Sequence, residues 1–227
     1  MGVEHRPQRI VLVRHGESQG NEDDTVYETV PDHALALTDR GRAQAAAAGV
    51  VVRQLVAGER FDVYASPYRR ARETVEAMGL GVALDDVRFE PRLREQDWAN
   101  FQDPASIAQE KRLRDAYGHF YYRFTHGESG ADVYDRVSTF LESLFRNFES
   151  PHAPRVVVIV THGLTMRLFC MRWFHWSVDY FESLRNPGNG DVVVLDRQPD
   201  FRYKLREPFR QWDAAVPPTA RERDSWL

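Results

Sequence analysis

A chain of 227 residues with 42% hydrophobic residues can bury a full core without disulfide staples, and one globular domain over residues 1–227 is expected. Its formal net charge of −4 and scattered basic residues exclude the basic tract that neutralises nucleic-acid phosphates, so no nucleic-acid partner is expected. Nearly all the positive charge is arginine, Lys111 and Lys204 being the only lysines, which removes Schiff-base and Walker-type lysine chemistry.

Met1 to Arg9 is polar, with no apolar signal-peptide core, and no apolar run reaches membrane-spanning length, so a soluble, cytoplasmic protein without a membrane partner is expected. Arg9 to Val13 is a β-branched run fit for a buried strand, and it ends directly in Arg14-His15-Gly16-Glu17-Ser18. Glu22-Asp23-Asp24 reads as a solvated acidic loop near enough to that motif to repel strongly anionic substrates. An alanine-rich stretch through Ala57 predicts a helix, with Thr38 as N-cap and Gly58 as stop.

Phe61 to Ala65 predicts a second strand, again ending in a polar turn, Ser66-Pro67, before a helix from Tyr68 to Met78. Val82 to Phe89 predicts another strand. Pro91 to Trp98 opens a loop-rich, aromatic stretch with a helix within Ile107 to Tyr117. From Ala131 to Phe148, apolar residues at 133, 137, 140, 141, 144, 145 and 148 recur at helical spacing, so this face is core.

Arg155 to Val160 is the most apolar strand and ends in Thr161-His162-Gly163, followed by a helix from Leu164 to Phe174. Cys170, the only cysteine, falls in that helix beside Leu168 and Phe169 and is expected to be buried. It is not a cysteine-phosphatase nucleophile, because Trp176 stands where such a loop needs arginine. Asn189-Gly190 is a turn, and Asp191 to Leu195 and Phe201 to Leu205 predict two strands joined through Pro199. The tail from about 207 to 227 reads as an extended wrap or partly disordered segment.

Alternating strands and helices imply a mainly parallel sheet with helices on both faces, which binds ligands at the carboxyl ends of its strands. Three such ends would gather Arg14, His15, Arg70 and His162 with Ser18 and Asn21, a donor-rich cluster suited to a tetrahedral dianion. Only Glu17 and Glu95 are acids expected in the same pocket. Two arginines and a histidine can neutralise a transferring phosphoryl group, while a neutral His15 attacks it in line. A poor leaving group then needs a proton, for which Glu95 is the candidate.

Val13-Arg14-His15-Gly16-Glu17-Ser18, Ser66-Pro67-Tyr68-Arg69-Arg70-Ala71, Leu93-Arg94-Glu95 and Val160-Thr161-His162-Gly163 resemble, in order and spacing, the histidine phosphatase superfamily, phosphoglycerate mutase-like branch. The resemblance implies a three-layer α/β/α sandwich and catalysis by His15, Glu95 and His162. It further implies phosphate binding by Arg14, Arg70, His162 and Asn21, no metal and no cofactor. An insertion at about 96–129 would cover the site. Ser18, Gln19, Tyr122 and Arg123 are candidate substrate-pocket residues, and Gly127-Glu128-Ser129 resembles a family element whose expected role is capping and loop support.

Arg69 is expected to form only a surface ion pair. Most of the aromatic run from His119 to Phe124 is expected to be core packing. His5, His33, His119, His126, His152 and His175 lie outside the motifs as surface or packing residues, and no HExxH or cysteine cluster gathers them around a metal.

The expected activity is hydrolysis of a small phosphorylated metabolite through a phosphohistidine. A cofactor-dependent phosphoglycerate mutase is the alternative, but Gly20 replaces the tryptophan of the mutases' x-Trp-Asn and their Arg-Arg pair before a Pro-Pro run is missing. A non-catalytic phospholigand-binding protein is a second alternative, and the intact set of site residues weighs against it. Ala99 stands where the family often has glycine. A homo-oligomer is compatible with the sequence.

Overall fold

The strands read from the sequence as most apolar occupy the centre of the sheet. A computed structural model describes residues 6–99 and 104–212. The expected domain, its insertion and its tail therefore each include residues outside the described range, as does His5. The strands are β1 (Arg9–Arg14), β2 (Phe61–Ala65), β3 (Arg88–Phe89), β4 (Val156–Thr161), β5 (Val192–Arg197) and β6 (Tyr203–Leu205), in the spatial order β3-β2-β4-β1-β5-β6. β3, β2, β4 and β1 run parallel, while β5 and β6 join antiparallel at one edge.

The two faces of these strands explain their composition. Ile10, Leu12, Val157 and Ile159 point to one side, against helices α5 (Gly130–Phe148) and α6 (Gly163–Phe174). Val11, Val13, Val158 and Val160 point to the other, against α2 (Asp39–Val56) and α3 (Arg69–Met78). Both faces are dry, so alternation disappears and the strands read as continuous apolar runs. Burying each such side chain contributes roughly 1.5–3 kcal/mol, and the result is the expected α/β/α sandwich.

Local signals set the helix ends. The Thr38 hydroxyl accepts the Gly41 amide at the start of α2. That helix stops at Ala57, which itself takes the left-handed conformation (φ 30°) expected of Gly58. The expected strand over Val82 to Phe89 shrinks to Arg88–Phe89, because Leu84–Asp86 forms a 3-10 turn. Adjacent aspartates favour turns over a pleated ladder. On α5 the apolar stripe is buried except for Phe145, which is half-exposed and stacks on Trp173.

Three further helices lie among the described residues: α1 (Gln19–Glu22), α4 (Pro104–Tyr117) and α7 (Val178–Ser183). Tyr27 and Leu35, from the segment between α1 and α2, form a third apolar cluster with Trp98, Ile107 and Phe124. The start of the expected tail folds back on α7: Phe209 is buried and the Trp212 amide donates to the Ser183 carbonyl. Among the described residues no helix is long and apolar enough to cross a membrane.

Candidate active site

Parallel register places the chemistry. Arg14 pairs with Thr161 and Ala65 with Val160, so the next residues, His15, His162 and Ser66, emerge together at the carboxyl edge of the sheet. The His15 amide donates to the Thr161 carbonyl at 3.0 Å and the Ser66 amide to the Val160 carbonyl at 2.9 Å. The rings of His15 and His162 meet edge to face, with centroids 5.1 Å apart.

The His15 Nδ1 lies 2.6 Å from the Gly16 carbonyl oxygen. Burial, reinforced by Arg70 and Arg14, holds the imidazole well below its ordinary pKa and hence neutral. Gly16 is required by close approach, since a Cβ there would meet the Gly41 carbonyl oxygen at 2.2 Å. The His15 loop can thus lie directly on the start of α2.

The Ser66 hydroxyl lies 2.8 Å from His162 Nε2 and also accepts the Tyr68 amide. His162 is fully buried, and its Nδ1 has no hydrogen-bond partner while facing Glu95 Oε2 at 3.8 Å. Burial first, then Arg70 and His15, lower its pKa well below the usual range. Glu95 follows the 3-10 turn Pro91–Leu93, and its Oε1 accepts the Gln96 amide. Burial raises its pKa above the ordinary carboxyl value. The Gln96 amide and Arg70 oppose that rise, Asp32 adds to it and Arg14 opposes it.

Arg14 is buried, with one N–H donating to the Pro187 carbonyl at 2.6 Å, and burial lowers its pKa to about 10. Arg70, also buried, is gripped by Asp32: Nη1 donates to the backbone oxygen at 2.6 Å and Oδ1 at 2.9 Å, and Nη2 donates to Oδ2 at 3.3 Å. Burial opposes the Arg70 charge, but Asp32 outweighs it and the pKa rises. The expectation that only Glu17 and Glu95 bring acid to the pocket is therefore corrected. Asp32 is the second acid, whereas the Glu17 carboxylate turns away to Arg40 and Thr38.

Asn21 is oriented by its neighbours. Its Oδ1 accepts from the Ser18 amide, the Ser18 hydroxyl and Asn189 Nδ2, which leaves its own amide N–H groups to face outward. Gly20 has room for no side chain, because a Cβ would meet the Tyr27 ring at 2.6–2.7 Å. Aromatic surface beside the site thus comes from Tyr27, on a different segment from position 20. His15, Ser18, Asn21, Tyr27, Asp32, Arg70, Glu95 and Trp98 line a narrow, partly open cavity.

Three candidate pocket residues do not line this cavity. Gln19 is exposed and its side-chain oxygen accepts the Ala36 amide. Tyr122 donates to Glu110, and Arg123 pairs with Asp132 and the Gly127 carbonyl. Tyr122 thus meets an acid of α4 and Arg123 one in the first turn of α5. Ser129 caps α5 and Glu128 pairs with Arg94 and Arg136, as capping and loop support require. Arg69 forms its ion pair, with Glu73.

Sequence reasoning missed Asp32, Tyr27 and Trp98 in the lining, and Arg136 and Asn189 behind it. Arg136 donates to the carbonyls of Arg92, Arg94 and Glu95, fixing the Glu95 loop. Asn189 donates to the His15 carbonyl as well as to Asn21. Among the described residues no group of three or more His, Cys, Asp or Glu is placed to hold a metal.

The pattern described as histidine phosphatase superfamily (branch 1) matches residues 10–206. A phosphoglycerate mutase-like protein of Arabidopsis thaliana is 46% identical over 214 residues, covering 88% of this chain and 68% of that protein. A broad-range acid phosphatase of Saccharomyces cerevisiae is 32% identical, covering 91% of each. Among solved structures, a mycobacterial glucosyl-3-phosphoglycerate phosphatase complexed with VO3 superposes with a TM-score of 0.69 at 25% identity, over 89% of this chain and 99% of that one. With its strand-end histidines, buried arginines and this match along most of its length, the chain belongs to the histidine phosphatase superfamily, branch 1.

Proposed function

We propose that this phosphatase hydrolyses small phosphomonoesters through a covalent phosphohistidine on His15. The carrying observation is the His15 Nδ1 contact with the Gly16 carbonyl. A carbonyl only accepts, so the ring proton sits on Nδ1 and the lone pair is on Nε2. A neutral imidazole with a free Nε2 lone pair is the form that attacks phosphorus.

Arg14, Arg70, Asn21 and His162 hold the phosphoryl oxygens in this reading. A Ser66 proton donated to His162 Nε2 leaves the N–H on Nδ1, a buried donor without a partner, suited to a phosphoryl oxygen. As the His15 N–P bond forms and the ester P–O bond breaks, Glu95 gives its proton to the leaving oxygen. It then takes a proton from the water that cleaves the N–P bond, which returns neutral His15, inorganic phosphate and protonated Glu95. Water is the acceptor that we propose, since Gly20 and the missing Arg-Arg and Pro-Pro elements remove features expected of a mutase. We also propose a cytoplasmic setting, in keeping with a lone buried cysteine.

Trapping tests the nucleophile. Quenching turnover in alkali or denaturant is expected to capture an acid-labile phosphoenzyme in the wild type and none in His15→Gln. Labelling of that variant at the wild-type level would put the nucleophile elsewhere. Arginines take the part that a metal could play, so exhaustive chelation is expected to leave the rate intact. A loss restored by magnesium or zinc would overturn that part of the mechanism.

A further inference from the structure

We propose that Asp32 selects against leaving groups that carry a carboxylate and directs the site to neutral, hydroxyl-bearing phosphate esters. The inference rests on the phosphohistidine reading above and names the substrate class for that site.

Arg70 can serve a phosphoryl group without releasing Asp32. A guanidinium has five N–H donors, and Asp32 takes three, two from Nη1 and one from Nη2. The Nε–H and one Nη2–H remain, a side-on pair that suits two phosphoryl oxygens. Asp32 therefore stays in the pocket while the phosphoryl group is bound, and its charge meets whatever that group is attached to.

Asp32 and Glu95 both line the cavity, and Asp32 lies near enough to Glu95 to push its proton affinity up. Glu95 must reach the ester oxygen, which puts Asp32 on the leaving-group side. Among the described residues lining the cavity, Arg70 is the one arginine, and there is no lysine. Within that lining a carboxylate on the leaving group would meet two acids, and the one cation, Arg70, is already shared between Asp32 and the phosphoryl group. Hydroxyl groups would instead donate to Asp32. Repulsion of the wrong partner is as effective a source of specificity as attraction of the right one.

The test compares glycerol 3-phosphate with 3-phosphoglycerate, which share a three-carbon skeleton and differ by a hydroxymethyl group against a carboxylate. Both present the same phosphoryl group, so any change in how Arg70 grips phosphate cancels in the ratio of kcat/KM values. The wild type is expected to favour glycerol 3-phosphate by at least about tenfold, the factor that about 1.4 kcal/mol of like-charge repulsion represents. Asp32→Asn is expected to narrow that ratio about tenfold, chiefly through KM for 3-phosphoglycerate. A wild-type preference for 3-phosphoglycerate overturns the proposal even if the variant does not fold, and so does an unchanged ratio in a folded Asp32→Asn. Phosphoenzyme trapping with p-nitrophenyl phosphate separates the two failures. An intact phosphohistidine with the wrong ratio removes Asp32 alone, whereas no phosphoenzyme at His15 removes the underlying mechanism as well.

Discussion

His15 Nδ1 and the Gly16 carbonyl oxygen are 2.6 Å apart, which fixes the tautomer of the ring proposed as nucleophile by contact with the next residue in the chain. Burial with Arg70 and Arg14 keeps this ring neutral well below the ordinary histidine range. The sign follows: a nucleophile that must be neutral, with a depressed pKa, stays active as pH falls through about 6.5. Single-turnover phosphoenzyme formation from p-nitrophenyl phosphate is expected to show no inflection near that pH. A rate that halves there would mean that His15 titrates as an ordinary exposed histidine.

The same burial makes the fold acid-sensitive. His15 and His162 are both held well below the ordinary value and His119 is lowered to about 3, so the unfolded chain takes up these protons first as pH falls below about 6.5. Each can remove up to about 1.4 kcal/mol of stability per pH unit. Glu95 acts oppositely, because a raised carboxyl pKa lets the folded state bind its proton first between about 4.5 and the raised value. Three imidazoles against one carboxyl leave a net loss. Thermal midpoints in phosphate-free buffer are expected to fall from about pH 6.5 towards about 5, less steeply in His15→Gln. A flat profile would contradict neutral burial of these rings.

Arg136 connects α5 to the Glu95 loop through three carbonyls, those of Arg92, Arg94 and Glu95, and pairs with Glu128. It touches no reacting atom and acts by positioning Glu95. Arg136→Met keeps much of the side-chain volume but removes these donors. A proton donor misplaced by about 1 Å can cost about 10²-fold in rate. The expected result is a loss of that order in kcat for alkyl phosphates and a much smaller loss for p-nitrophenyl phosphate. Equal losses on both substrates would indicate general unfolding of the loop.

The central site was legible because its parts sit where apolar runs stop. Arg14 ends β1, and His15 and His162 directly follow β1 and β4, which pair in parallel, so reading these strand ends is the same as reading the pocket. Glu95 was reached from the need for a proton donor and from the resemblance, as its loop has no periodicity. Asp32 and Tyr27 were not legible, because their positions depend on Tyr27 and Leu35 packing against Trp98, Ile107 and Phe124, residues about sixty to a hundred positions away in the chain. Position 99 could have been read further. Ala99 has φ +60°, the left-handed conformation that glycine adopts without cost, which explains why glycine is common there in the family.

Glu95→Gln separates proton donation from phosphate positioning. Glutamine keeps the shape and an oxygen for the Gln96 amide that Glu95 Oε1 now accepts, but it has no acidic proton to give. General acid assistance is typically worth about 10² to 10⁴ in rate. A nitrophenolate leaves readily without a proton, whereas a glycerol or sugar alkoxide does not. Phosphoenzyme formation in Glu95→Gln is therefore expected to slow by about that factor for alkyl phosphates and far less for p-nitrophenyl phosphate. Single-turnover rates are needed, since slow dephosphorylation would otherwise limit both substrates equally and hide the difference. In the wild type the same comparison has a pH signature: Glu95 must carry its proton, so alkyl turnover is lost as pH rises through its raised pKa while aryl turnover persists. Equal slowing of both substrates in Glu95→Gln would mean that Glu95 positions the phosphoryl group or activates water.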